Sequence, residues 1–264
     1  MINTITACNI NNNYPKTNIT LGNEQEAPKN ITKKQKAVIL ASAAAGMTPV
    51  LAGLAKHKGF SLNPVKILKT PIKEWALLKY APKEKAIQFE APEIIAVATG
   101  SVAGGFAGGC IVDKENIKAK KREVLNQLLG NVLVPVGCVA SGAKIYEKYA
   151  EKIEGAMPQL KNTKKVGKII NAIIRKVPNA VTTLGLLGIG IYAGNKVSNL
   201  INEKLYNKKV ERNIRPSDFA PHIDDVCMAT SMMNQDSSFG SKLGRIIPLA
   251  LIVPGYETGI AQND

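Results

Sequence analysis

Residues 94–112 read IIAVATGSVAGGFAGGCIV, with five glycines and no charge between Glu93 and Asp113. Such a run is either a loop that cradles a phosphate or an apolar helix with bare backbone along one side, and the choice decides the fold. A dinucleotide loop needs GxGxxG between a strand and a helix whose N-terminal amides face the pyrophosphate. The glycines here do not keep that spacing. The nearest approach, GIGIYAG from Gly188, has three residues where two are required, and Gly194-Asn195-Lys196 misses the GK[ST] ending of a P-loop. What the stretch does keep is a period of four: Ala96, Gly100, Gly104 and Gly108 form one row, with Gly105 and Gly109 beside it. On a helix that row is a groove into which another helix can sink, the small-xxx-small packing that serves where apolar side chains gain little by leaving lipid. Gly190 with Gly194, and Ala41 with Ala45, repeat the spacing elsewhere.

The uncharged length also recurs. Residues 37–55 (AVILASAAAGMTPVLAGLA), 124–143 (VLNQLLGNVLVPVGCVASGA) and 177–195 (VPNAVTTLGLLGIGIYAGN) likewise lack Lys, Arg, Asp and Glu. At about 1.5 Å per residue each stretch is roughly 28–30 Å long, the thickness of a bilayer's hydrocarbon core. Soluble core helices need polar residues on their exposed face at every turn, so four such coincidences point to membrane spans. The sequence therefore predicts an all-α integral membrane bundle of four transmembrane helices over residues 33–262, after a polar, asparagine-rich tail over 1–32. The stretches are rich in alanine and glycine, the mean hydropathy of the chain is only −0.03, and Asn126, Gln127 and Asn131 weaken the third, so insertion as a cooperating bundle is expected. A further apolar run, IIPLALIVPGY at 246–256, carries Pro248 and Pro254 and meets Glu257 at once. It is too short to span alone and reads as a re-entrant or capping segment, or as a fifth span over 244–262 if Glu257 enters the membrane with it.

A net charge of +15 and a pI near 9.6 call for an anionic surface. The basic residues are mostly lysine and aromatics make up 5% of the chain, so arginine forks and stacking rings are scarce and nucleic acid is not the expected partner. Anionic lipid headgroups are. In LNPVKILKTPIKEWALLKYAPKEK, Val65, Leu68, Ile72 and Trp75 keep helical spacing among lysines, with Trp75 and Tyr80 as interfacial anchors. In KKVGKIINAIIRKV, Val166, Ile169, Ile170, Ile173, Ile174 and Val177 form a stripe with Lys164, Lys165, Lys168 and Arg175 off it, which predicts a second basic amphipathic helix at the headgroup boundary. The tail, the second loop and residues 196–245 carry 18 Lys and Arg against 17 in the first and third loops, so the positive-inside rule sets no orientation. The N-terminus shows no cleavable signal, which fits a bacterial-type cytoplasmic membrane.

Chemistry-bearing residues are sparse. Cys8, Cys110, Cys138 and Cys227 form no CxxC pair, so neither a disulfide framework nor a zinc knuckle is predicted. RPSDFAPHIDDVCMATSMM gathers Asp218, His222, Asp224, Asp225 and Cys227 at spacings that match no metal site and that helix N-terminal chemistry also explains. HExxH and GxSxG do not occur. No metal, cofactor or enzymatic activity is expected, and the reading is a structural, scaffold or assembly protein, with partner helices or a second copy as candidates for the glycine row. Two other classes stay open: a channel or transporter, resting on Glu257 between Gly255 and Gly259, and a peripheral or soluble basic helical protein.

Overall fold

The computed structural model describes residues 31–57, 59, 61–69, 71, 90–161, 165–207, 213–223 and 247–262, and every regular element among them is helical. Trp75, Tyr80, Lys164, Asp224, Asp225, Cys8 and Cys227 lie outside the described residues. Helix α1 (Lys33–His57) starts on a reciprocal cap: the Gln35 N–H donates to Thr32 Oγ1 at 3.3 Å and the Thr32 N–H to Gln35 Oε1 at 2.9 Å. A short α2 (Pro64–Lys69) follows, with Val65 and Leu68 exposed. Helix α3 (Ala91–Val112) carries Pro92 in its first turn, where a missing N–H costs nothing, and ends where the Asp113 N–H donates to the Gly109 carbonyl. A one-turn corner (Lys114–Asn116) leads into α4 (Ile117–Leu125), a π-helical segment (Asn126–Leu133) and α5 (Val134–Gly155) without a break. Helix α6 (Lys165–Tyr206) is followed by a 3₁₀ segment (Pro216–His222), α7 (Ile247–Ala250) and α8 (Val253–Ile260).

Four helices are long and apolar enough to cross a membrane, with mean hydropathies of 1.3 to 1.8 over their most apolar windows, while Ile247–Ile260 is shorter than a span. The four uncharged stretches lie inside these helices. Two of the helices run well beyond them: at about 1.5 Å per residue, α6 is roughly 63 Å long. The basic stripe before the fourth stretch is thus not a separate helix. Residues 165–177 are the first third of α6, whose backbone continues through Pro178.

The chain packs as two antiparallel hairpins. In the first, α1 and α3 meet at backbone distance: a Cβ added at Gly100 would lie 2.7 Å from the Gly46 carbonyl oxygen, and one at Gly104 would strike the Ser42 carbonyl. The α1 side of this contact is Ser42 and Gly46, while Ala41 and Ala45, which share the four-residue spacing, are exposed one position round the helix. Gln35 Nε2 joins the start of α1 to the Val112 carbonyl at the end of α3, at 2.8 Å. In the second hairpin Gly194 faces Gly130 and Gly190 faces Pro135, each too close for a side chain. Leu160 and Asn171 clasp its turn with two backbone-to-amide bonds of 2.8 and 3.0 Å.

Helix α3 carries a second glycine face, and α8 fills it. Gly105 meets Gly255 and Gly109 meets Gly259 backbone to backbone, and Ser101 Oγ donates to the Ile252 carbonyl at 3.2 Å. Close approach of this kind replaces side-chain burial with dispersion contacts and Cα–H···O bonds. A small apolar core of Met47, Ile94, Val97, Ala98, Val132, Val136, Ile247 and Leu251 joins the hairpins and α7.

Candidate functional site

The most distinctive chemistry of the bundle is polar and sits inside it. Glu123, Asn126, Gln127 and Asn131, on α4 and the π-helical segment, are all buried, and so are Asn195, Ser198 and Asn202 on the facing side of α6. Asp218 and His222 of the 3₁₀ segment close the third side. Asn202 Nδ2 donates to Asn126 Oδ1 at 2.8 Å, and Asn126 Nδ2 to Glu123 Oε2 at 3.1 Å. Gln127 Nε2 donates to the other Glu123 oxygen at 2.7 Å, and Asn131 Nδ2 to both Gln127 Oε1 and Asp218 Oδ1, at 3.0 and 2.7 Å. The Arg215 N–H donates to Asp218 Oδ2 at 2.8 Å.

The local sequence explains why the helix loosens at this site. Pro135 has no N–H to give to the Asn131 carbonyl, its partner four residues back in an α-helix. That carbonyl is taken instead by His222 Nε2 at 2.8 Å, and since a carbonyl only accepts, the proton of that bond sits on Nε2. The preceding turns relax into π geometry, with the Val134 N–H reaching back to the Leu129 carbonyl. Gly194 lets α6 approach these turns: a Cβ there would lie 2.5 Å from the Gly130 carbonyl oxygen.

A second buried polar site lies below α8. Lys120, wholly enclosed, donates to Asp113 Oδ2 at 2.9 Å and to the Ala261 carbonyl at 2.8 Å, its stem against Gly109. Glu257, the residue on which a transport reading rests, is largely buried on α8 and pairs with Arg215 at 3.5 Å. It stands at the edge of the polar network. Lys168 and Arg175 are exposed on α6, far along the chain from the network. Among the described residues no group of three or more His, Cys, Asp or Glu is placed to hold a metal ion. Ala96 continues the Gly100 row at half-burial.

Read from the sequence alone, Asn126, Gln127 and Asn131 weaken the third stretch, and none of the four stretches holds Lys, Arg, Asp or Glu. Glu123 stands one residue before that stretch and is drawn into the interior with them. Three amides at positions 126, 127 and 131, followed by Pro135, were the available signal. No protein-family model, curated protein or solved structure matches this chain. Its function is therefore read from geometry alone.

Proposed function

We propose that this chain is an integral membrane protein with a structural or assembly role, its four long helices crossing the bilayer and its C-terminal segment re-entrant. The observation that carries this reading is an inverted distribution of side chains. Val181 and Ile189 are each 62% exposed, whereas Asn131, Asn202, Asp218 and His222 are 0% exposed. Only 17 to 44% of each apolar window is buried within the bundle. In water that arrangement would waste roughly 1.5–3 kcal/mol for every large apolar side chain left outside. In lipid the outward residues are solvated and the inward ones satisfy each other.

The glycine faces support the structural part. Both rows on α3 are occupied from within the chain, so the packing needs no second copy to fill them. Lys33, Lys34, Lys36, Lys114, Lys118 and Lys121 are exposed at one end of the bundle, and Lys144, Lys148, Lys152 and Lys168 at the other. Each lysine near an acidic leaflet contributes about 1 kcal/mol, so both ends suit anionic headgroups.

Washing membranes that contain the protein with alkaline carbonate tests the reading. The protein should stay in the pellet, and release into the supernatant would leave only the peripheral or soluble alternative. A channel or transporter is the second reading, favoured by the buried network and the Arg215–Glu257 pair beside it. Sealed proteoliposomes with no ion flux above empty vesicles support the structural role, whereas flux lost on Glu257→Gln would replace it with transport.

A further inference from the structure

We propose that the Asn131 end of the buried network binds one alkali-metal cation. The hydrogen bonds of the network all run one way. A carboxylate only accepts, so Glu123 takes an N–H from Asn126 on one oxygen and from Gln127 on the other. Both amides therefore turn their carbonyl oxygens outward, where they accept in turn from Asn202 and Asn131. Each branch ends on a buried amide oxygen, Asn202 Oδ1 or Asn131 Oδ1, that has no hydrogen-bond partner among the described residues. Rotating either terminal amide would set oxygen against oxygen, so the direction is fixed by Glu123. Hydrogen bonds in series polarise one another, which leaves the terminal oxygens richer in electron density than an isolated amide. A buried acceptor of this kind demands a donor or a cation.

The two ends differ in what stands beside the unpartnered oxygen. The Asn131 amide also donates to Asp218 Oδ1 at 2.7 Å, so a fully enclosed carboxylate adjoins it. The Asn202 end of the network reaches its carboxylate, among the described residues, through Asn126. Among the described residues, an amide oxygen beside a single carboxylate is a small, hard oxygen donor set, which suits a monovalent ion. A divalent ion draws on more carboxylates, and among the described residues no larger cluster of acidic, His or Cys ligands is gathered. The backbone at Asn131 is π-helical, with Pro135 four residues on, and π-helical turns often mark functional sites. The Arg215–Glu257 pair ties α8 to the 3₁₀ segment that carries Asp218.

The test uses the purified full chain in detergent micelles, unfolded by heat in NaCl, KCl, LiCl or choline chloride at equal ionic strength, with equilibrium dialysis against radiolabelled sodium or rubidium alongside. At least one alkali chloride should raise the midpoint by several degrees over choline in a saturable way, with about one ion bound per chain. Asp218→Asn, which loses the charge and offers one acceptor oxygen to the two donors Asn131 Nδ2 and the Arg215 N–H, should weaken binding by roughly tenfold or more. Asn131→Ala should remove the response, and Asn202→Ala should keep it. Equal midpoints in all four salts with no bound label would overturn the proposal and leave a water molecule on Asn131. Undiminished affinity in Asp218→Asn would overturn it as well, and that variant decides the matter even if Asn131→Ala does not fold.

Discussion

A single methyl group sorts the glycines of this protein into two kinds. At Gly104 an added Cβ would strike the Ser42 carbonyl and lie 2.9 Å from the Gly46 Cα, and at Gly105 it would strike the Gly255 carbonyl. At Gly53, Gly137, Gly185 and Gly188 it would meet nothing within 4 Å. Backbone cannot yield as a side chain end can, so Gly104→Ala and Gly105→Ala should each cost about 1–3 kcal/mol or more. Gly137→Ala and Gly188→Ala should be neutral or stabilising by up to about 1 kcal/mol, since alanine holds a helix better. Unfolding in mixed micelles would compare the four, and equal losses in both groups would mean that the close contacts are not what holds the helices together. A period of four told which glycines share a face. It could not tell which helix fills that face, because Gly100 and Gly105 are equally small and only the fold sends one to α1 and the other to α8.

At the scale of one element, the helix from Ile117 to Gly155 shows how a proline and a distant histidine depend on each other. His222→Phe keeps an aromatic ring but removes the donor, leaving the buried Asn131 carbonyl unpaired at a cost of about 1–3 kcal/mol. Pro135→Ala restores an N–H at the position from which an α-helix would serve that carbonyl. The loss caused by His222→Phe should therefore shrink by about 1 kcal/mol or more in the Pro135→Ala background. A double-mutant cycle on unfolding free energies measures this coupling, and strictly additive losses would separate the two residues. The proline was plain in the sequence, yet the π turns were not, since Asn126, Gln127 and Asn131 look like defects in a span until the partners on α6 and the 3₁₀ segment are known. The length of α6 was hidden for a different reason. Charge marks where a helix would leave hydrocarbon, and a helix can continue through Arg175 and Lys168 once it has left.

For the whole molecule, the uncharged runs were enough to give four long helices, because length and apolarity are properties of each segment alone. Their relative arrangement depends on contacts far apart in sequence. Those contacts now divide the surface into two ends. Gln35 beside Val112, and Lys120 beneath Ala261, place the start of α1, the α3–α4 corner and the C-terminal end of α8 together. Asn126 beside Asn202 adds the end of α6. The Glu154–Lys176 pair, at 3.6 Å, belongs to the opposite end with the close of α1 and the start of α3. Lysine counts could not orient such a body, since both ends are almost equally basic, but the pairing of ends is still open to experiment. In a background where the four native cysteines are replaced, Glu115→Cys and Glu203→Cys should react with an impermeant maleimide from one side of a sealed vesicle. Ser61→Cys and Gln159→Cys should react only from the other. All four sites are exposed, so protection by packing would not confuse the result. Labelling of Glu115→Cys and Ser61→Cys from the same side would mean that α3 does not cross, and with it the membrane reading of the first hairpin would fall.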